Sequence, residues 1–343
     1  MQRRRLATLA LLAGLIVSLP GMLEAQGGRY GKNYFPNLPV VTQDGKEVQF
    51  YDDLIKGKIV VISFIYTSCP DICPLATARL AQIEEKLGEM VGRDIFFISM
   101  TVDPENDSPA RLKAFADAFH VGPGWTFVTG KPADVRAINA KLGDRSRNLS
   151  DHRNEIVLGN DMTGEWTRDN VLGDLDRVIL TIRSMDPKWR NEARTVPHTD
   201  ASNTGYSMAG GHPGQSMYKK ICAPCHTIGV GDRVGPDLRG ITAKRDHDWL
   251  VSFIMDPEKL RARNDPLAVA LAAKYPGVRM PRLGIPRKDA TDLVAYLEAE
   301  NDKLTKAAEA EAAGAPKHDH SHHGHHGQGQ QGQQQQDHQH HRH

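Results

Sequence analysis

The four cysteines of this 343-residue chain lie in two close pairs that are far apart in the sequence. Cys69 and Cys73 form the first pair, and Cys222 and Cys225 form the second. A disulfide scaffold spreads its cysteines along the chain, whereas close pairs are typical of redox or cofactor sites. The two pairs therefore predict two separate sites, and a chain of this length has room for two domains.

The first pair follows a continuous apolar and β-branched run at residues 59–66. Such a run is typical of a strand buried on both faces of a sheet. Apolar residues at helical spacing come after Cys73, so we expect both thiols where this strand passes into a helix. An Asp44-Gly45 hairpin turn and alternating strands and helices, up to residue 186, predict an α/β domain over residues 29–186.

Two thiols one helical turn apart can ligate one metal ion. Amides at a helix start lower the pKa of a nearby thiol, and a thiolate pair selects Cu(I), zinc or an iron–sulfur cluster. A third ligand is needed, and we favour His152, in a polar segment before a predicted strand, over His120 at the end of a predicted helix. Two alternatives stay open for the cysteines: thiol–disulfide exchange, and a structural disulfide whose short loop would stabilise the fold little.

The segment from Phe64 to Pro74 (FIYTSCPDICP), the segment VDPENDS at 102–108 and Asp151-His152 together resemble the Sco/SenC family. Members of that family are thioredoxin-like copper proteins that help assemble the binuclear copper centre of cytochrome c oxidase. The resemblance implies a mixed sheet flanked by helices, with Cys69, Cys73 and His152 as ligands of one copper ion. Asp71 and Asp103 lie in these motifs and could orient the site, but we favour the alternative that both are solvated turn residues.

The second pair belongs to the motif Cys222-Ala-Pro-Cys225-His226, the attachment motif for c-type haem. The spacing places two sulfurs for thioether bonds and presents His226 to the iron. Met280, in a Gly/Pro-rich stretch, is the candidate sixth ligand, and His/Met ligation raises the reduction potential. Its rival Met255 lies in an amphipathic pattern, which favours a core position. Residues 210–301 resemble class I cytochromes c, which implies a small all-α domain around one covalent haem.

The chain ends differ in composition from these two domains. Residues 1–25 resemble a cleavable signal peptide, with three arginines before an apolar run too short for the roughly 20 residues of a membrane span. They predict export, most simply to a bacterial periplasm, or an N-terminal anchor if the segment is not cleaved. Residues 187–209 lack periodicity and predict a linker. The His- and Gln-rich residues 302–343 predict a disordered tail that could bind metal.

The net charge and the hydrophobic content of the chain argue against two classes of function. The formal charge of +1 argues against a nucleic-acid partner, and 39% hydrophobic residues are too few for a polytopic membrane protein. The combined motifs favour a copper chaperone whose haem exchanges single electrons with the copper or thiol site. Its expected partner is the copper-bearing subunit of cytochrome c oxidase or another exported redox protein. Two alternatives remain: a thiol–disulfide oxidoreductase acting through Cys69 and Cys73, and an electron-transfer cytochrome with the first domain as docking module.

Overall fold

The computed structural model describes residues 30–144, 146, 148–149, 155–195 and 211–314. The described residues up to 301 form one compact unit, and those from 302 to 314 belong to a second unit. Within the described ranges, every helix is too short or too polar to cross a membrane. The predicted signal peptide, His152 and the His-rich stretch after residue 314 lie outside the described residues.

The first domain is built on one sheet of seven strands in the order β2-β1-β5-β4-β3-β6-β7. The strands are β1 Pro39–Thr42, β2 Glu47–Gln49, β3 Ile59–Ile65, β4 Ile95–Thr101, β5 Trp125–Thr129, β6 Glu155–Asn160 and β7 Glu165–Asn170. The three central strands β3, β4 and β5 run parallel, and the remaining pairs are antiparallel. The sheet is therefore mixed, as predicted.

Helices cover both faces of this sheet. They are α1 Cys73–Leu87, α2 Pro109–Ala118, α3 Pro132–Lys141, α4 Leu175–Ser184 and α5 Pro187–Thr195, with a π-helical turn at Phe50–Ile55 and a 3-10 turn at Gly88–Met90. All seven residues of β3 are buried. Its odd-numbered apolar residues pack with α1 and α4, and its even-numbered residues pack with the π-helical turn and α3. This two-sided burial explains the unbroken apolar run, because neither face of β3 meets water.

The second domain is helical. Its elements are α6 Pro213–Met217, a π-helical turn at Tyr218–Cys222, α7 Ile241–Lys244, α8 His247–Met255, α9 Pro257–Ala262, α10 Pro266–Lys274 and α11 Arg287–Gly314. Its core joins α8 to the start of α11 through Leu250, Val251, Leu293 and Val294. A Cβ on Gly214 would lie 2.2 Å from the carbonyl oxygen of Asp292, so a glycine lets α6 approach α11.

Three elements differ from the sequence predictions. Strand β7 was not predicted, because it is a polar sheet edge without alternating apolar residues. Helix α5 occupies the first part of the predicted linker, and residues 196–210 lie outside the described residues. Helix α11 continues to Gly314, within the stretch for which we predicted disorder. Residues 303–314 are rich in Ala, Glu and Lys, which have high helix propensity, and this local preference outweighs their lack of an apolar face.

Candidate metal centres

The first cysteine pair lies at the junction between β3 and α1. Cys69 lies in the loop after β3, and Cys73 is the first residue of α1. The backbone N–H of Cys73 donates a 3.4 Å hydrogen bond to Sγ of Cys69, so the structure brings the two thiols together. Both side chains are buried beside Tyr66 and Val102. Two soft donors therefore lie close together at the end of β3.

Burial dominates the electrostatics of this pair. Desolvation raises the pKa of Cys73, and the neighbouring Cys69 raises it further. We expected the helix start to lower the thiol pKa, and for Cys73 that expectation is wrong because the cost of burying a thiolate exceeds the stabilisation by the helix amides. Burial also raises the pKa of Tyr66, with the hydrogen bond to Cys69 as a further cause. A metal ion that binds Cys73 must therefore displace its proton.

A buried carboxylate anchors the loop before Cys69. Asp107 is 1% exposed and accepts hydrogen bonds from the hydroxyl of Thr67 at 2.6 Å and the hydroxyl of Thr101 at 2.6 Å. The backbone N–H of Thr67 also donates to Asp107 at 3.2 Å. Our sequence analysis assigned no role to Asp107. The sequence feature that could have indicated a role for Asp107 is its position in a polar segment that follows a buried strand.

The two acids that we expected to be solvated differ from each other. Asp103 is only 6% exposed and accepts a hydrogen bond from the side-chain amide of Asn106, so that expectation is wrong for Asp103. The side chain of Asp71 is 47% exposed, but its Oδ1 atom is buried without a hydrogen-bond partner. The nearest cation to this oxygen is Arg282 of the second domain, whose Nε lies 3.7 Å away.

The third predicted ligand, His152, lies outside the described residues, but its flanking strand is placed. Strand β6 starts at Glu155 and pairs antiparallel with β3, from Ile59 opposite Asn160 to Ile62 opposite Val157. The start of β6 therefore lies at the sheet edge where β3 ends and the cysteine loop begins. Across the described ranges, no three His, Cys, Asp or Glu side chains form a metal-binding group. His152 as a copper ligand thus stays a prediction.

The rival histidine, His120, is far from the cysteines. It is exposed, adopts a φ of 55°, and borders a cleft beside Gly88 and Val91, at the C-terminal end of α1. Cys73 is at the other end of this 15-residue helix, which is about 22 Å long. His120 therefore does not approach the thiols.

The four predicted haem residues line one cavity. Cys222, Cys225, His226 and Met280 surround a space of about 910 Å³ that is partly open to solvent. The other walls are mainly apolar and include Phe253, Ile254, Leu271, Val278, Leu283 and Ile285. Met255 is absent from this lining and packs against the core, as predicted. The spacing that predicted haem attachment thus coincides with an apolar cavity of the kind that a cofactor occupies.

His226 is oriented to act as a ligand. Its Nδ1–H donates a 2.8 Å hydrogen bond to the carbonyl oxygen of Pro236, which leaves Nε2 as the nitrogen that can bind a metal. Burial lowers the pKa of His226, so the ring is neutral. A Cβ on Gly235 would lie 2.6 Å from the ring, so the glycine permits the close packing that holds it. Burial also raises the pKa of Cys222 and that of Cys225 to about 12. Neutral thiols and a neutral imidazole in an apolar cavity fit a covalently attached haem.

The two domains meet beside both sites. Leu75, two residues after Cys73, lines the haem cavity. Gln82 of α1 donates a 3.2 Å hydrogen bond to the carbonyl oxygen of Ala223, which lies between Cys222 and Cys225. The backbone N–H of Arg282, two residues after Met280, donates at 3.2 Å to the carbonyl oxygen of Pro70. One helix of the first domain thus lines the cavity around the predicted haem residues, which our sequence analysis did not predict.

Comparisons with known proteins match both halves of the chain. Residues 30–161 match the family model SCO1/SenC, and residues 212–300 match the family model Cytochrome c. The "SCO1 protein homolog" of Bacillus subtilis strain 168 is 40% identical over 89 residues, which are 26% of this chain and 45% of the relative. The chain spans about half the length of the curated relatives that it matches.

Solved structures align with the first half. One is BsSco, described as a member of the Sco family of cytochrome c oxidase assembly proteins, at 26% identity. The alignment covers 46% of this chain and 97% of BsSco, with a TM-score of 0.38. Another is ScoI of Arabidopsis thaliana with copper bound, at 24% identity, covering 44% of this chain and 99% of that one, with a TM-score of 0.37.

Fold and sites together define a thioredoxin-like domain with a paired-thiol loop, followed by a helical domain with a c-type haem motif. The chain is a fusion of a SCO1/SenC domain and a cytochrome c domain, as our sequence analysis expected.

Proposed function

We propose that this protein is an exported copper chaperone for the copper centre of cytochrome c oxidase, with a built-in haem domain. Cys69, Cys73 and His152 bind one copper ion, and the copper-bearing oxidase subunit receives it. The haem domain exchanges single electrons with the copper or thiol site. The observation that carries this proposal is helix α1, which begins at Cys73 and lines the haem cavity with Leu75.

The thiol loop suits a site that gives its metal away. The two sulfurs are buried, but Ser68 and Pro70 on either side of Cys69 are exposed. An incoming ligand on a partner protein can therefore reach the loop without unfolding the domain. Two soft thiolates match Cu(I) in particular, and a single histidine from the adjacent sheet edge would complete a trigonal site.

The path between the two sites is short. Cys73 and Leu75 are two residues apart, so their Cα atoms are separated by at most about 7 Å. Met280 and Arg282 have the same spacing, and Arg282 bonds directly to the loop between the thiols. A bound haem supplies a one-electron couple. The chain's own contribution is to hold the edge of that cavity against the copper loop, since electrons tunnel efficiently only over short gaps.

This arrangement favours copper over thiol exchange as the redox partner of the haem. Copper changes its charge by one electron, as a haem does, whereas a dithiol releases two. The role of the first domain as a mere docking module is disfavoured as well, since α1 contributes a wall of the haem cavity.

One experiment tests both halves of the proposal. Cu(II) is added to the protein with ferrous haem, and the haem absorbance and the copper EPR signal are followed together. We expect one haem to be oxidised for each Cu(II) signal lost, and both changes to be lost in Cys69→Ser. Ser68→Ala, at the neighbouring exposed position, is the matched control and should behave as the wild type. Equal rates in Cys69→Ser and the wild type would contradict the proposal.

A further inference from the structure

Arg282 touches the copper loop in two ways. Its backbone N–H donates to the carbonyl oxygen of Pro70 at 3.2 Å, and its Nε lies 3.7 Å from Oδ1 of Asp71. Pro70 and Asp71 lie between Cys69 and Cys73, so they must move whenever the spacing of the two thiols changes. Arg282 is therefore in contact with the only covalent link between the two sulfur donors.

On the haem side, Arg282 lies in the irregular segment between α10 and α11 that also carries Met280. Other contacts also hold this segment. Arg261 donates a 3.4 Å hydrogen bond to the carbonyl oxygen of Met280, Val278 packs against the core of the first domain, and Ile285 packs in the core of the second. Arg282 joins the segment that carries Met280 directly to the copper loop.

We propose that the contacts of Arg282 with Pro70 and Asp71 couple the two sites, so that metal binding by Cys69 and Cys73 tightens the hold of Met280 on the haem iron. This inference rests on the proposed ligand sets and extends the proposed function to regulation of the haem by the copper site. It requires no electron to pass between the two metals.

The direction follows from geometry and conformational entropy. Chelation fixes the spacing of the two thiols and removes the freedom of the residues between them. Oδ1 of Asp71 is buried without a hydrogen-bond partner, and its 3.7 Å separation from Nε of Arg282 is just longer than a hydrogen bond. A loop that is fixed by metal offers Arg282 a permanent partner at this oxygen. A charge-assisted bond can then form, and the Met280 segment loses mobility with it.

The coupling is reciprocal. Metal that tightens Met280 ligation must bind more strongly when Met280 is bound, by the same factor. We expect about a fivefold factor, at the lower end of measured couplings, because the ion pair is partly exposed. For a one-electron centre, a fivefold tightening confined to the ferrous state corresponds to a rise of about 40 mV in the haem potential.

The test uses Ag(I), a soft monovalent ion that binds thiolates and that ferric haem cannot oxidise. One equivalent is added to the full-length haem protein. The readouts are the long-wavelength charge-transfer band of methionine-ligated ferric haem and the haem midpoint potential. In the wild type we expect a stronger band and a higher potential. Cys69→Ser reports any effect of silver bound elsewhere and should show neither change.

Arg282→Glu places a second carboxylate against Asp71 and should abolish the response of the band. The swapped pair Arg282→Glu/Asp71→Arg restores opposite charges and should restore it. Arg287→Glu is the matched control, because Arg287 has a similar exposure and lies 3.9 Å from Asp248, away from the copper loop. An undiminished response in Arg282→Glu, or no response in the wild type, would overturn the coupling. Failure of copper-to-haem electron transfer with an intact silver response would overturn the proposed function alone.

Discussion

The two cysteine pairs show how the same side chain is prepared for two kinds of metal chemistry. The first pair is buried and the second is half-buried, and desolvation raises the pKa of Cys73, Cys222 and Cys225. Their surroundings differ. The first pair lies in a short loop that is held by polar contacts to Asp107 and flanked by exposed residues. The second pair lines an apolar cavity beside a neutral imidazole. The first setting suits a metal that must leave, and the second suits a cofactor that stays.

The largest expected effect is the loss of covalently bound haem with copper binding retained. Cys222→Ala/Cys225→Ala removes both thioether positions, so we expect no covalently bound haem after denaturation and extraction. Cu(I) binding at the first pair should persist at one ion per chain, measured by competition with a chromogenic chelator. Haem that stays with the denatured double variant would contradict the assignment of these cysteines.

Removing one thiol of the first pair should weaken copper binding and leave the haem unchanged. Cys73→Ser leaves a single thiol at the first site, and we expect high-affinity Cu(I) binding to be lost because one soft ligand cannot hold the ion. The haem absorbance spectrum should be unchanged. Unaltered Cu(I) affinity in Cys73→Ser would exclude this loop as the copper site.

The next effect is expected at Leu75, the residue of α1 that lines the haem cavity. Leu75 is 2% exposed, so Leu75→Ala should lower the free energy of unfolding by about 2–5 kcal/mol. It should also admit solvent to the haem cavity, which a lower haem midpoint potential would report. Leu180→Ala is the matched control, since Leu180 is 53% exposed and should cost little. Equal losses in the two variants would show that Leu75 does not pack as described.

A smaller effect is expected at the polar anchor of the copper loop. Asp107→Asn keeps the shape but replaces an acceptor of three hydrogen bonds, so we expect a cost of about 1–3 kcal/mol in denaturant unfolding. Cu(I) affinity should fall with it, because Thr67 then holds Cys69 less firmly. Asp117→Asn, at an exposed position on α2, serves as the control. Unchanged Cu(I) affinity in Asp107→Asn would leave that residue a purely structural role.

The smallest effect concerns the histidine that the structure places far from the thiols. His120→Ala should leave Cu(I) affinity and haem potential at their wild-type values, whereas His152→Ala should weaken copper binding. The pair of variants is read by the same chelator competition. A loss of affinity in His120→Ala that matches His152→Ala would reverse the choice between them.

Local patterns predicted the elements that bury apolar residues or carry cofactor motifs. The β3 run and the hairpin turn at Asp44-Gly45 agree with the sequence, because each is fixed by neighbours along the chain. Strand β7 was missed because its pairing with β6 depends on backbone hydrogen bonds rather than on a side-chain pattern. The contacts of Arg282 and Gln82 join residues more than 100 positions apart. Such contacts cannot be predicted from the periodicity of the sequence.

The most direct test of the central claim is the concentration dependence of electron exchange between copper and haem. Ferrous protein is mixed rapidly with one equivalent of Cu(II), and the haem oxidation that follows copper binding is timed at several protein concentrations. If α1 holds the two sites together within one molecule, the rate is independent of protein concentration. A rate that rises in proportion to concentration would mean that electrons pass only between molecules, and would contradict the account.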